Sequence, residues 1–255
     1  MVSLLTEFGP EVLFYSFLTA IFAGIIKGLV GLGMPTVLIS GLSTILSPEW
    51  ALAGLIVPTL VTNGVQALRQ GRRAAYASVV RFRYFLIYGG FALVISAQFT
   101  RILPHNLFLL LIGLSVSVFA IVQLAGLKFT IRKHSKKSAA SFGLTAGLVG
   151  GISGVWGPPT VAYLTALGTE KKEQLRVQGV IYGLGAMVLF FAHLGSGILN
   201  AKTILFSIFL VVPSLLGMWC GSRMNDRIDQ SIFRTLTLLI LTVAGLNLIL
   251  RALLG

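Results

Sequence analysis

Two segments of the sequence combine glycine, proline and threonine in a pattern that suits anion binding. The first, Ala23–Ile39, has the sequence AGIIKGLVGLGMPTVLI, and the second, Ala146–Leu164, has the sequence AGLVGGISGVWGPPTVAYL. The N–H groups in the first turn of a helix have no partner within the helix, so proline, which lacks an N–H, fits there. Pro35 and Pro159 therefore each predict a helix start. A helix start carries about half a positive charge and exposes N–H donors. Two such starts facing each other would bind a small oxyanion.

Several residues of these two segments are therefore predicted to bind substrate. They are Gly33, Pro35, Thr36, Gly154, Trp156, Gly157, Pro159 and Thr160. The alternative is that the glycines only allow helices to pack closely, as small residues do in many membrane proteins. Trp156 also has two interpretations, since it would either close the cavity as a gate or fill space that the glycines leave.

Two basic residues lie within apolar segments, where burying a charge is expensive and needs a reason. Lys27 lies about one turn before the first break, and Arg176 lies near the start of a later apolar segment. Either can pair with an anionic substrate. The alternatives are that Lys27 extends to the membrane surface or bonds free carbonyl groups at the break, and that Arg176 lies at the membrane interface.

Uncharged polar residues follow each break at comparable places. Asn63 and Gln66 follow the first break, and Gln178 and Tyr182 follow the second. They are predicted to line a cavity from both sides, the alternative being hydrogen bonds to neighbouring helices. His193 is a candidate for proton coupling because an imidazole titrates near neutral pH, the alternative being a structural histidine.

The acidic residues lie away from the apolar segments. All seven occur in loops or at segment ends: Glu7, Glu11, Glu49, Glu170, Glu173, Asp226 and Asp229. A membrane interior without a carboxylate disfavours a cation or metal transporter, a carboxylate proton relay and an enzyme with a carboxylate acid or base. No nucleotide-binding, metal-binding or nucleophile motif occurs. The sequence predicts no enzyme, no cofactor and no metal site.

The composition is that of an integral membrane protein. Of 255 residues, 56% are hydrophobic and 11% are charged, whereas about a quarter are charged in a soluble domain. The apolar segments are long enough for helices of about 20 residues, which predicts an all-α protein in contact with membrane lipids. The net charge of +13 is concentrated in loops, where it fixes orientation in the membrane, so no nucleic-acid partner is predicted.

The order of apolar segments predicts two repeats joined by a basic linker at 128–138. The first repeat, 1–127, contains a broken pair at 11–46 and spans at about 50–68, 84–99 and 105–126. The second, 139–255, contains a broken pair at 139–167 and spans at about 174–194, 203–220 and 231–252.

If each broken pair enters and returns, or crosses twice, every strongly basic loop lies inside, including the loop predicted at 69–83 with its five arginines, and the acidic N-terminal segment lies outside. Each repeat then crosses an odd number of times, which makes the repeats inverted, as in many secondary transporters. The sequence leaves homo-oligomerisation open.

Two motifs, GLVGLGMPT at Gly28–Thr36 and GISGVWGPPT at Gly151–Thr160, resemble those of the TauE/SafE family of sulfite and organosulfonate exporters. The resemblance extends over essentially the whole chain. It implies export of sulfite, sulfoacetate or a related small anion across a bacterial inner membrane. The expected mechanism is alternating access around a site between the two breaks. A passive anion channel, or a transporter of a different small anion, is the alternative.

Overall fold

The computed structural model describes residues 2–99, 104–126, 135–154, 156–224 and 229–254, and every regular element in these ranges is an α-helix. Within these ranges, four helical segments are long and apolar enough to cross a membrane: Glu7–Leu29, Pro48–Leu68, Glu173–Ser196 and Ala201–Met224. A bent pair, Arg72–Arg81 with Arg83–Phe99, would make a fifth. The predicted helical class is confirmed, and the chain is a multi-pass membrane protein.

Twelve helices occur within the described residues. Their bounds are α1 Val2–Val30, α2 Met34–Leu42, α3 Pro48–Leu68, α4 Arg72–Arg81, α5 Arg83–Phe99, α6 His105–Leu124, α7 Lys136–Ser153, α8 Gly157–Ala166, α9 Lys171–Ser196, α10 Ala201–Phe209, α11 Val211–Met224 and α12 Gln230–Leu254.

The helices pair in a reciprocal pattern. Helix α1 packs against α11, and α5 packs against α7. Each helix of the first six corresponds to the helix six places later, so α1 corresponds to α7 and α5 to α11. Replacing each helix by its counterpart turns the first pair into the second. The same exchange leaves the pairs α3 with α9 and α6 with α12 unchanged. A duplicated chain with two-fold related halves would pair in this way; the inverted orientation of the halves and their boundaries stay predictions.

Glycines allow the two reciprocal pairs to pack backbone against backbone. A Cβ atom at Gly147 of α7 would lie 2.1 Å from the carbonyl oxygen of Gly89 in α5. In the other pair, a Cβ atom at Gly217 of α11 would lie 2.1 Å from the carbonyl oxygen of Ile21 in α1. Neither distance is possible for real atoms, so these helix contacts require glycine.

Each break ends a helix at a glycine with a left-handed backbone conformation. Gly31 has φ 74° and donates its N–H to the carbonyl of Lys27 at 2.7 Å, which ends α1. Gly154 has φ 69° and donates its N–H to the carbonyl of Gly150 at 2.7 Å, which ends α7. Lys27 and Gly150 therefore occupy equivalent places in the two breaks. The short helices α2 and α8 begin a few residues later.

The basic segment 69–83 is predicted to be a loop, but most of it is helical. Helix α4 occupies Arg72–Arg81 and is bent by 77° from α5. Phe82 at the bend is fully buried, while Tyr76 on α4 is exposed. The segment contains no proline, and its one glycine, Gly71, precedes α4, so no residue within α4 opposes a helix.

Two other segments differ from the sequence prediction. Helix α7 begins at Lys136 because Ser135 and Ser138 form a capping box, so the last three residues of the predicted linker 128–138 are helical. The predicted span 203–220 is divided between α10 and α11 at Leu210. Residues 127–134 of the linker region lie outside the described ranges.

Helix α10 stabilises an irregularity in α3. Pro58 lies inside α3 and has no N–H group for the carbonyl of Gly54, four residues earlier. The Ser207 hydroxyl of α10 donates to that carbonyl at 3.3 Å and accepts from the Val57 N–H at 3.0 Å. The freed backbone groups are therefore bonded within the protein, as an apolar surrounding requires.

The close pairing of α5 with α7 predicts that Gly147→Ala destabilises the protein, because the methyl group would force the two backbones apart. We expect a loss of about 1–3 kcal/mol in stability, measured as a lower melting temperature in detergent. Gly90→Ala is the matched control, since a Cβ atom at Gly90 of α5 meets nothing within 4 Å. Its melting temperature should equal or exceed that of the wild type. Equal melting temperatures for Gly147→Ala and the wild type would contradict the packing account.

Candidate anion-binding site

A cavity lies between the two helix breaks. It is narrow, with room for about one or two water molecules between the side chains. Eight of the described residues, from both breaks and from α9, line it: Lys27, Leu32, Gly33, Pro35, Thr36, Trp156, Gly157 and Tyr182. Seven of these eight are residues that the sequence predicts to bind substrate, and Leu32 is the addition.

Of these eight described residues, Lys27 alone has a basic side chain, and none is acidic. It lies on the last turns of α1 and is 2% exposed. Its amine donates a hydrogen bond to Asn63 Oδ1 of α3, and no ion pair to Lys27 occurs among the described residues. An unpaired charge in an apolar interior is costly, so an anion in the cavity would supply a missing partner.

Two helix starts meet the same cavity. Gly33 precedes the first residue of α2, and no side chain caps this start. Pro35 has no N–H, so first-turn donors come from its neighbours such as Thr36, which is 7% exposed and lines the cavity. Gly157, the first residue of α8, lines the cavity from the other break. The Lys27 amine and the positive ends of two helices therefore converge on one small space.

Trp156 forms the aromatic wall of the cavity and is 4% exposed. Its side chain fits between glycines of two helices. A Cβ atom at Gly150 of α7 would lie 2.8 Å from Trp156 Cβ, and one at Gly185 of α9 would lie 3.3 Å from Trp156 Cε2. Because Gly150 is the counterpart of Lys27, the two halves place an amine in one break and an indole in the other.

Hydrogen bonds fix the start of α8 beside the cavity. The Tyr182 hydroxyl donates to the carbonyl oxygen of Gly157 at 3.4 Å. The Thr160 hydroxyl is directed back along α8 and donates to the carbonyl oxygen of Trp156 at 2.8 Å. Thr160 is thus bonded within its own helix and does not line the cavity, and Pro159 does not line it either.

Four other residues near the breaks in the sequence, Asn63, Gln66, Gly154 and Gln178, are not among the residues that line the cavity. Gln66 Nε2 donates to the carbonyl oxygens of Gly31 and Leu175, both at 3.0 Å, and so joins the first break to α9. Gln178 is 1% exposed, and its Oε1 has no hydrogen-bond partner among the described residues. Gly154 packs against the side chains of Leu52 and Leu55.

Arg176 lies in a different cluster. Its Nε donates to Ser78 Oγ at 3.1 Å, one terminal nitrogen donates to Gln70 Oε1 at 2.8 Å, and another lies 3.5 Å from Glu173 Oε1. The same carboxylate accepts a 2.5 Å bond from Arg81. The cluster joins α4 to α9, and Arg176 is not among the residues that line the cavity.

His193 is fully buried and contacts protein atoms at both ring nitrogens. Its Nδ1 lies 3.0 Å from Ser196 Oγ and its Nε2 lies 3.2 Å from the carbonyl oxygen of Gly151. A carbonyl can only accept, so the Nε2 atom carries a proton. His193 does not line the cavity, and its role in coupling stays a prediction.

The sequence does not predict the roles of Leu32 or of Gly150 and Gly185, the two glycines that pack against Trp156. Leu32 lies between Gly31 and Gly33 in the first break, and its position inside the motif was the available signal. Gly185 has no such signal, because its contact with Trp156 joins the second break to α9 and depends on the fold.

A family model described as the sulfite exporter TauE/SafE matches residues 16–248 of the chain, which includes both breaks and every cavity-lining residue. Comparisons with curated proteins and with solved structures found no match. The match spans far more than half of the 255 residues. The chain therefore belongs to the TauE/SafE family.

Proposed function

We propose that the protein is a secondary transporter that exports a small sulfur-containing anion, such as sulfite, sulfoacetate or a related organosulfonate. The anion binds in the cavity between the two breaks. The observation that carries this proposal is Lys27, a buried amine that faces the cavity and has no acidic partner among the described residues. Family membership supports the sulfur-containing substrate and the direction of transport.

The electrostatics of the cavity favour anions over cations. A protonated Lys27 contributes one positive charge, and the starts of α2 and α8 each add about half a charge. No carboxylate occurs among the described residues that line the cavity. A cation would meet repulsion from every one of these groups, whereas an oxyanion would accept hydrogen bonds from the amine and from first-turn N–H groups.

The narrowness of the cavity favours a transporter with alternating access. With room for about one or two water molecules between the described side chains, the cavity is too narrow to serve as an open pore for a hydrated anion. Access then requires that one half of the protein move relative to the other. The reciprocal pairs α1 with α11 and α5 with α7 join the halves, and rocking at these contacts would open the cavity to each side in turn.

Removing the Lys27 amine is expected to abolish transport. In proteoliposomes, Lys27→Met should lower sulfite flux at least about tenfold, since a hydrogen bond to a charged group contributes about 1.5–3 kcal/mol. Arg176→Met is the matched control, because it removes a basic group outside the cavity and should retain most of the flux. Equal sulfite flux in the wild type and in Lys27→Met would contradict anion binding at Lys27. Loss of sulfite flux in Arg176→Met alone would instead place the binding site in the cluster between α4 and α9.

Replacing both partners of the buried hydrogen bond should separate stability from transport. The double variant Lys27→Met/Asn63→Leu removes the charge and its acceptor together, so its melting temperature in detergent should equal or exceed that of the wild type, while sulfite flux is lost. Asn63→Leu alone leaves the buried Lys27 amine without its acceptor and should destabilise the protein by about 1–3 kcal/mol. A double variant that melts well below Asn63→Leu would contradict the view that the buried amine serves binding.

A further inference from the structure

We propose that Lys27 couples anion transport to proton transport, so that a monovalent sulfonate and one proton cross the membrane together. The inference rests on the proposed anion transport and concerns the same cavity. The proton is taken up by the Lys27 amine on the side where the anion binds and is released to water on the side where the anion leaves.

The surroundings of Lys27 suit a neutral amine when the cavity holds no anion. The side chain is 2% exposed, and its hydrogen bond to Asn63 Oδ1 needs only one N–H donor, which a neutral amine also has. Leu32, Trp156 and Pro35 supply apolar surface around the cavity. Burying an ammonium ion there without an anion is costly, whereas a bound anion favours the charged form. Proton binding and anion binding therefore stabilise each other.

Among the described residues, no other ionisable group is placed to carry this proton. Tyr182 is the only other titratable lining residue, and its hydroxyl donates to Gly157. On α3, Glu49 is exposed at the helix start. On α9, Glu173 and Arg176 belong to the cluster with Arg81, and both nitrogens of His193 contact protein atoms.

The helices packed against α1 bring no described counter-charge to Lys27 either. Helix α2 has no ionisable residue, and Lys202 of α10 pairs with Glu7 at the far end of α1. On α11, Cys220 is exposed and Arg223 stacks on Trp219. On α12, Arg251 donates to the carbonyl oxygen of Ser43. Glu11 of α1 itself is exposed.

This coupling determines which forms of the protein change between the inward-open and the outward-open state. The loaded form holds an ammonium and a monovalent anion, and the empty form holds a neutral amine, so neither adds net charge to the cavity. Transport of a monovalent anion is then electroneutral. Its direction follows the combined gradients of anion and proton and is independent of membrane potential.

The test measures efflux of labelled methanesulfonate, a permanently monovalent sulfonate, from proteoliposomes with an internal pH dye. One arm applies a pH gradient with the potential held at zero, and the other applies a potassium diffusion potential without a pH gradient. We expect faster efflux from an acidic interior, loss of one internal proton per anion and no response to potential.

Lys27→Arg tests the role of the amine, because a guanidinium keeps its charge. The empty form of this variant cannot become neutral, so net efflux should fall at least about tenfold, while exchange of labelled for unlabelled methanesulfonate continues. Lys202→Arg is the matched control, since Lys202 is exposed and lies outside the cavity, and it should behave as the wild type.

Wild-type measurements alone can overturn the inference, whether or not Lys27→Arg folds. Efflux that follows the potential without internal proton loss would show that Lys27 keeps its proton throughout. Sulfite flux without methanesulfonate flux would also overturn the inference and leave the proposed function standing. Absence of flux for both anions would overturn the proposed function together with the inference.

Discussion

The cost of placing an amine and non-helical backbone in an apolar interior is the constraint on which the rest of the structure depends. Lys27 is almost fully buried and bonds to Asn63, and the break that follows it is joined to α3 and α9 through Gln66. Each of these contacts satisfies one polar group, yet none neutralises the amine. A protonated Lys27 therefore has no negatively charged partner among the described residues. This fits the membership of the chain in a family of anion exporters.

The two breaks have similar backbones and different chemistry. Both end a helix through a left-handed glycine whose N–H bonds to the carbonyl four residues earlier, at Lys27 in one break and at Gly150 in the other. The missing side chain at Gly150 leaves space that Trp156 occupies. The two breaks therefore give the cavity a basic wall, from Lys27, and an aromatic wall, from Trp156.

The sequence predicts local features well and contacts between distant segments poorly. Composition and segment length suffice for the helical membrane class, and the rules for helix starts identify Gly33, Pro35 and Gly157, which line the cavity. The position of Arg176 could not be predicted in this way, because Arg176 contacts α4, a helix in a segment that is predicted to be a loop. The fit of Trp156 between α7 and α9 likewise follows from the packing of helices, which no local pattern encodes.

The account centres on an anion held by Lys27 between the starts of α2 and α8. A structure of the protein with selenite, an analogue of sulfite whose selenium scatters anomalously, tests this most directly. We predict one anomalous peak in the cavity, within hydrogen-bond distance of Lys27 Nζ and between Gly33 and Gly157, and no peak in Lys27→Met. A selenite peak only at the Arg81–Arg176 cluster, or a cavity peak that persists in Lys27→Met, would contradict it.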